Sequence, residues 1–209
     1  QLTGMFPACF QEQRTGHPNN LANVFNISTN YSLAPEFNEM VGFTEEEVRE
    51  MLAYYASVLP FRHSVDELIE VMKPWYGNYC FDNSECGMAT IYNPAMVLNF
   101  VDNYIQSNYE IPKKPCEVIP STDHEIVRQL IRYAKEFAHD SSIIEDIMTK
   151  GFALGYLLDI FPATSINTPD GILSLLFYLG MVTIDGTYQS YTRFVITNEA
   201  VRKQMQTLI

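Results

Sequence analysis

Basic residues are scarce in this 209-residue sequence, which has 13 Lys and Arg residues against 25 Asp and Glu residues. The formal net charge is therefore −12, whereas broad binding to nucleic acid or to an anionic membrane needs a basic surface. Long apolar runs are also missing, because no stretch approaches the ~18 apolar residues of a membrane-spanning helix. The composition disfavours both kinds of partner, and we expect no membrane association.

Closely spaced metal ligands are absent as well. The cysteines Cys9, Cys80, Cys86 and Cys116 form no CxxC pair, and the four histidines are equally scattered. Structural zinc sites usually take their ligands in such pairs, so no metal site is predicted. A chain of this length with 47% hydrophobic residues does not need disulfides to stabilise its core. We therefore expect reduced thiols and a cytoplasmic location.

Two capping boxes mark the starts of amphipathic helices. Thr44 with Glu47 and Ser64 with Glu67 both have the Ser/Thr-x-x-Glu pattern, in which the two side chains satisfy backbone N–H groups. Apolar residues follow each box at helical spacing, until Pro74 interrupts the second stripe. The pattern predicts one helix after Thr44 and a second helix after Ser64 that stops at Pro74.

The next segments predict a hairpin, a third helix and a linker. Aromatic and β-branched residues on both sides of a polar turn predict a small hairpin within residues 75–92. Asn93 and Pro94 have the residue types typical of an N-cap and a first helical position. Three prolines lie within residues 107–121, and we place a linker at 111–121.

The C-terminal residues predict part of a winged-helix unit. A helix begins at Thr168-Pro169 and ends at Gly180, and Asn198 caps a final helix. Between these helices, two strands flank a predicted turn at Asp185-Gly186. Helices predicted over residues 122–150, after Thr122 and after Ser142, would supply the rest of the unit, and residues 151–158 would be extended.

Four segments in this order resemble one protein family: Gly42-Phe43-Thr44-Glu45-Glu46-Glu47-Val48, Trp75-Tyr76-Gly77-Asn78-Tyr79, Tyr92-Asn93-Pro94-Ala95-Met96-Val97-Leu98 and Leu175-Leu176-Phe177-Tyr178-Leu179-Gly180. They are similar to segments of bacterial AAA-ATPase-like proteins whose C-terminal region is a PD-(D/E)XK nuclease-like domain. The resemblance extends from residue 2 to about residue 203. Leu2-Thr3-Gly4 resembles the strand end of that ATPase domain where a polar sensor residue approaches the nucleotide.

The resemblance and the predicted elements together give a fold class and four parts. We expect a mainly α fold with small β-hairpins (α+β), in which a helical lid subdomain precedes a winged-helix-like module. The resemblance implies the end of an ATPase core and a loop at 1–35 and a lid-like subdomain with a hairpin at 36–110. The linker at 111–121 then leads to a winged-helix-like module at 122–209.

The phosphate-binding Walker A pattern GxxxxGK[ST] does not occur in this sequence. Without that loop and its lysine, nothing cradles the β- and γ-phosphates of ATP. We therefore predict no catalytic residue and no cofactor for the chain alone, and we expect ATP and Mg²⁺ only in a longer parent. The chain is interpreted as a middle fragment whose partners are an upstream ATPase core and a downstream nuclease-like domain.

Thr3 and Arg62 are the candidate nucleotide-binding residues. The resemblance alone implies Thr3 as a sensor, and a plain polar strand end is the alternative. Arg62 lies between the first two predicted helices, where lid arginines of such ATPases can meet a phosphate. Trp75, Tyr76 and Tyr79 either stack on a base or pack in the interior. The remaining motif residues are predicted to be structural: Thr44, Glu47, Gly77, Tyr92, Asn93, Pro94 and Gly180.

The predicted function is a non-catalytic lid and winged-helix region that contributes to nucleotide-dependent regulation or to partner docking. A stand-alone protein-interaction module with no nucleotide role is the alternative. A third hypothesis, DNA engagement that assists the nuclease-like domain, is disfavoured because the helix before the hairpin is apolar on nearly every side. The negative charge is also unevenly distributed along the chain. Residues 36–70 hold nine acidic residues against Arg49 and Arg62, whereas residues 168–209 have a formal net charge of zero.

Overall fold

The computed structural model describes residues 38–81, 90–113, 115, 142–158 and 168–208. Thr3 and the helix predicted after Thr122 lie outside the described residues. The predicted α+β class is confirmed by the elements, which are α1 (Glu45–Val58), α2 (Val65–Tyr76), α3 (Pro94–Gln106), α4 (Ser142–Lys150), β1 (Phe152–Gly155), α5 (Pro169–Tyr178), β2 (Val182–Tyr188), β3 (Tyr191–Ile196) and α6 (Glu199–Leu208).

Both capping boxes are confirmed. The Thr44 hydroxyl accepts a hydrogen bond from the Glu47 N–H at 3.2 Å, and the Glu47 carboxylate accepts one from the Thr44 N–H at 2.9 Å. Ser64 and Glu67 make the same pair of bonds at 3.2 and 2.7 Å. Each box satisfies two N–H groups that a helix start would otherwise leave unpaired, so these contacts fix where α1 and α2 begin.

Three further predicted N-caps are confirmed, whereas the predicted cap Ser142 is instead the first residue of α4, and Thr122 lies outside the described residues. The side chains of Asn93, Thr168 and Asn198 each accept a hydrogen bond from the backbone N–H three residues further on, at 3.2, 3.1 and 3.0 Å. Pro94 and Pro169 occupy the first positions of α3 and α5, where the missing N–H of proline costs no hydrogen bond.

The prediction that the second helix stops at Pro74 is wrong, because α2 continues to Tyr76. Proline lacks the N–H that would bond to the carbonyl four residues earlier, but its fixed φ is itself helical. The chain can therefore make one more half-turn, and the Gly77 N–H closes it by donating to the Lys73 carbonyl at 3.1 Å.

The first core lies among α1, α2 and α3, which with their flanking residues 38–113 we call the helical unit. Its largest buried side chains come from all three helices and from Tyr92, which precedes α3; those of the helices are Leu52, Leu68, Met72, Tyr76, Phe100 and Tyr104. The hairpin predicted within 75–92 is limited, in the described residues, to one antiparallel bridge between Tyr79 and Ile91. Tyr92 forms a second bridge with Phe43, which precedes α1.

The second core lies under a three-stranded antiparallel sheet with the order β1-β3-β2. Its largest buried side chains are Phe177, Phe194, Ile147 and Leu173. We call residues 142–208 the winged-helix-like unit, after the predicted module to which they belong, and its elements follow the order α4-β1-α5-β2-β3-α6. β1 confirms the extended segment expected within 151–158.

The predicted turn at Asp185-Gly186 is wrong, because β2 runs through these residues to Tyr188. The chain turns instead at Gln189 and Ser190, which both have positive φ, 48° and 71°. Two such residues give the backbone twist that suits a short hairpin. Gly186, with φ +89°, lies in a bulge between Ile184 and Thr187, where the register with β3 shifts.

Gly180 ends α5 as the sequence predicted. Its φ is +70°, its N–H donates to the Phe177 carbonyl at 2.8 Å, and the Met181 N–H donates to the Leu176 carbonyl at 2.9 Å. This pair of bonds is the Schellman motif, which favours glycine at the left-handed position. The chain can then reverse directly from α5 into β2.

The last helix, α6, contributes to both cores. Ala200 packs in the core of the helical unit, whereas Val201 and Met205 pack in the core of the winged-helix-like unit. Lys203 places its ammonium group 4.4 Å from the centre of the Trp75 ring on α2. The two units are therefore held together by a shared helix.

Candidate functional site

Residues 77–81 connect the two units through buried hydrogen bonds, and we call this contact the joint. The Cys80 N–H donates to the Thr183 hydroxyl at 2.8 Å, and that hydroxyl donates to the Cys80 carbonyl at 3.0 Å. The Asn198 amide donates to the Gly77 carbonyl at 3.1 Å. One side chain on β2 and one at the start of α6 thus satisfy three backbone groups of the helical unit.

Tyr79 and Phe81 add aromatic contacts to the joint. The Tyr79 side chain makes hydrogen bonds with the side chains of Asn198 and Asn93, which cap α6 and α3. Burial raises the pKa of the Tyr79 phenol, although these two bonds oppose the rise. The Phe81 ring lies edge-to-face against Phe177 of α5, with ring centres 5.7 Å apart.

An open cleft of about 530 Å³ lies beside the joint, between the helical unit and the outer face of the hairpin. Glu39, Glu45 and Lys73 line the helical side, and Thr183, Asp185 and Val195 line the sheet side. Cys80 also borders it, with 2% of its surface exposed. The cleft is thus a mainly polar site with carboxylates on both sides.

Glu45 is the centre of the charged network on the helical side of this cleft. Its carboxylate accepts hydrogen bonds from Lys73 at 2.8 Å and from Arg49, which also pairs with Asp66. The hydrogen bond from Lys73 is the main cause that holds the pKa of Glu45 below its usual value. Burial, followed by the nearby negative charge of Glu45, raises the pKa of the Tyr92 phenol. Lys73 and Glu45 therefore face the cleft as a charged pair.

The sheet side of the cleft continues into a row of exposed aromatic residues. The rings of Tyr156 and Tyr191 lie with centres 4.8 Å apart, and Tyr188 is the strand partner of Tyr191. Arg193 lies between this row and the cleft, where it pairs with Asp185 and sits over the Phe152 ring at 5.0 Å. A hydrogen bond with Tyr191 raises the pKa of the Tyr156 phenol.

Of the two candidate nucleotide-binding residues, the structure describes Arg62, which lies away from this cleft. Thr3 lies outside the described residues. Arg62 lies in the loop between α1 and α2, where it pairs with Glu110 at 3.5 Å and its N–H donates to the Tyr104 hydroxyl at 3.2 Å. Arg62 is not among the residues that line the cleft.

Of the aromatic residues in the Trp75-Tyr76-Gly77-Asn78-Tyr79 segment, Tyr76 is buried and Trp75 and Tyr79 are half-buried. Tyr76 is buried and donates a hydrogen bond from its hydroxyl to the Pro115 carbonyl at 2.8 Å. Trp75 packs against the core of the helical unit. Pro115 belongs to the predicted linker at 111–121, so this residue of the linker is fixed on the helical unit. These contacts fit the interpretation that the aromatic side chains pack in the interior. Because Tyr76 is buried, the three rings do not form one exposed surface on which a base could stack.

The residues that the sequence did not indicate are those brought together over long chain distances. Cys80 and Thr183 are separated by 103 residues, and Glu45 and Lys73 by 28. None of the four belongs to a short motif with a spacing that would reveal the contact. The helix caps, in contrast, join residues three positions apart, which a sequence pattern can report directly.

Comparisons of the chain with protein-family models, with curated proteins and with solved structures found no match. Within the described parts of the chain, no group of three or more His, Cys, Asp or Glu side chains could hold a metal ion. The described helices include none with both the length and the apolar character needed to cross a membrane.

Proposed function

We propose that this chain is a non-catalytic cytoplasmic region of an AAA-like ATPase, in which the helical unit is the lid and the winged-helix-like unit docks a partner. The observation that carries the proposal is the joint. Thr183 and Asn198 bind the backbone of residues 77–80, and α6 packs in both cores. A displacement of the lid would therefore be passed to the winged-helix-like unit without a change in the fold of either.

In this proposal the nucleotide belongs to the parent protein. ATP and Mg²⁺ would bind an upstream ATPase core, and the lid would respond to the nucleotide that the core holds. A downstream nuclease-like domain would be a further part of the same protein. The resemblance of the four sequence segments supports this placement, and the joint supplies a physical route from lid to docking unit.

A thermal-shift experiment with ATP and Mg²⁺ tests the proposal. The parent protein and residues 1–209 are compared side by side, with ADP and no nucleotide as further conditions. Ligand at 100 times its Kd stabilises a binding protein by about 2.7 kcal/mol, so we expect the parent's melting temperature to rise and that of residues 1–209 to stay constant. No shift in either protein would overturn the ATPase role and favour a stand-alone interaction module.

Arg62 tests the lid role within the parent. Arg62→Ala should weaken nucleotide binding or turnover, because an exposed cation in the α1–α2 loop can reach a phosphate on the neighbouring core. Lys113→Ala is the matched control, since Lys113 is also an exposed cation of the helical unit. Unchanged nucleotide affinity and turnover in Arg62→Ala would remove Arg62 from the proposal.

Partner docking is favoured over DNA engagement as the role of the winged-helix-like unit. DNA-reading helices of this kind insert one exposed face into the major groove. In α5, every residue from Gly171 to Phe177 is buried. Exposed tyrosines lie on the sheet instead, and tyrosine is enriched at protein–protein interfaces.

A further inference from the structure

The cleft and the exposed tyrosines form one continuous surface along β3. Side chains of β3 alternate between the core and the outside, so Tyr191, Arg193 and Val195 share the outer face. Val195 lines the cleft, while Tyr191 contacts Tyr156 at the far end. Successive outer residues of a strand lie about 6–7 Å apart, so these three span roughly 13 Å. We call this surface the cleft-and-tyrosine surface.

The tyrosine end of this surface has the chemistry of an interface centre. Tyr156, Tyr188 and Tyr191 expose 48%, 57% and 41% of their area, respectively. Leu154, the strand partner of Arg193, is 38% exposed on the same face. Tyrosine side chains offer a large apolar area and a polar tip at a low cost in conformational entropy, which favours extended peptide contacts.

The charges of the surface distinguish between possible partners. Its two cations are already paired, Lys73 with Glu45 and Arg193 with Asp185. Glu39, in contrast, has no ion pair with any residue that the structure describes, and it is exposed at the cleft. Glu45 and Asp185 also face the cleft from opposite sides. The surface thus carries three carboxylates against two cations, and its one carboxylate without an ion pair among the described residues is Glu39. An incoming anion would find no unpaired cation among these described residues, whereas an incoming cation would find the Glu39 carboxylate and a net negative charge.

We propose that the cleft-and-tyrosine surface binds an extended segment of a protein partner that carries Lys or Arg side chains. The basic side chains enter the cleft towards Glu39 and Asp185, and the adjacent part of the segment packs on Tyr156 and Tyr191. Basic groups also bind favourably over tyrosine ring faces. This proposal specifies the partner of the docking role described above, and it needs no nucleotide.

A random nonapeptide display library, selected on immobilised residues 1–209, tests the proposal because it offers the surface basic, acidic and apolar segments alike. We expect selected peptides to be enriched in Lys and Arg, and their affinity to fall as salt is raised. A library that yields no binders, or yields acidic or purely apolar peptides, overturns the proposal. A nonapeptide with Glu in place of every basic residue and a duplex DNA serve as competitors. Displacement by either at equal concentration also overturns it.

Matched variants locate the binding site by fluorescence anisotropy of a selected, labelled peptide. Tyr191→Ala and Glu39→Lys should each weaken binding by at least about tenfold, which corresponds to about 1.4 kcal/mol. Tyr54→Ala and Glu46→Lys are the controls, because both residues are exposed on α1 and do not line the cleft. They should change the affinity less than about twofold. Equal losses in the test and control variants would overturn the proposal.

The folding of each variant is checked by its thermal transition, and Tyr191→Phe provides a second test at the same position. Tyr191→Phe keeps the ring and should retain most of the affinity that Tyr191→Ala loses. The peptide experiment uses residues 1–209 without nucleotide. A negative result would therefore contradict the peptide-binding proposal but would not affect the expected shift of the parent's melting temperature with ATP. Conversely, a parent that does not bind ATP would leave the peptide result in place.

Discussion

The helical unit and the winged-helix-like unit fix their helices by different means. In the helical unit, α1 and α2 begin at capping boxes whose partners are three residues apart, and acidic residues occupy both first turns. In the winged-helix-like unit, α5 is buried from Gly171 to Phe177 and is followed by a strand pair. Reciprocal local contacts therefore mark the starts of α1 and α2, whereas α5 combines a single cap at Thr168 with burial along its length.

Because the two units differ in this way, any coupling between them depends on the contacts of the joint. The bonds of Thr183 and Asn198 connect residues more than 100 positions apart, and they are buried. α6 then packs in both cores. The two units differ in the contacts that define their helices, and we expect the joint to couple their unfolding. The following predictions test how strongly the unfolding of one unit is coupled to that of the other.

The largest effect is expected from truncation of a central core residue in either unit. Phe194 and Phe100 are both fully buried, one under the sheet and one among the helices. Each change to Ala should cost about 3–5 kcal/mol of unfolding free energy, because it removes apolar contacts and leaves a cavity. Urea unfolding followed by circular dichroism measures the loss.

The single tryptophan, Trp75, makes this pair of variants a test of coupling. Trp75 belongs to the helical unit, so its fluorescence reports on that unit. If the joint couples the units, Phe194→Ala should shift the fluorescence transition as far as the circular dichroism transition. A fluorescence transition that stays at its original urea concentration would show that the units unfold independently.

A smaller effect is expected at Asn198, which has two roles. Its carbonyl oxygen caps α6 and its amide donates to the Gly77 carbonyl. Asn198→Ala should cost about 2 kcal/mol, since loss of a cap costs ~1 kcal/mol and an unsatisfied buried carbonyl costs a similar amount. Urea unfolding of the variant checks the value.

Asn198→Asp separates the two roles of this residue. The carboxylate still accepts the hydrogen bond from the Val201 N–H, but it cannot donate to Gly77. We expect this variant to keep α6 capped while weakening the joint, so fluorescence and circular dichroism should begin to diverge. Coincident transitions with unchanged stability would argue that the Gly77 bond contributes little to the coupling.

A cap in each unit provides an internal comparison of local contacts. Ser64→Ala and Thr168→Ala each remove a side chain that bonds to the N–H three residues on. Both should cost about 1 kcal/mol, because the loss is confined to one helix start. Urea midpoints at constant m-value measure the effect. A much larger loss for one cap would show that its unit relies on that helix start more than the other unit does.

The sequence predicted these helix starts because the residues that form them are close in the chain. Thr44, Ser64, Asn93, Thr168 and Asn198 all lie immediately before an apolar stripe, and all five cap a helix. The same local signals predicted the glycine end of α5 and the strand pair after it. The α+β class followed from these elements.

The predictions that ended α2 at Pro74 and placed a turn at Asp185-Gly186 were wrong. Pro74 did not end α2, because a proline in the last turn removes only a hydrogen bond that the following residues can do without. Asp185-Gly186 did not form the turn, because a glycine with positive φ fits a bulge as well as a hairpin. The cleft could not be predicted, since Glu45, Lys73 and Asp185 come together only through the packing of the two units.

The smallest expected effect is a pH dependence located in the helical unit. Hydrogen bonding to Lys73 holds the pKa of Glu45 below its ordinary value of 4.5 in the folded chain. The pair therefore stabilises the fold above the unfolded pKa, and this contribution is lost as pH falls through the lower, folded pKa. Because both side chains are partly exposed, we expect about 0.2–1 kcal/mol from the pair.

Lys73→Met tests this contribution by urea unfolding at pH 7, 5, 4 and 3. The variant should lose stability at pH 7 and show a shallower fall below pH 5, because Glu45 has lost its main hydrogen-bond donor. Lys150→Met removes one positive charge from the ion pair of Lys150 with Asp146 on α4, so it is the charge-matched control in the other unit. If both variants flatten the pH profile equally, net charge sets the pH dependence, and the Glu45 contact does not distinguish the two units.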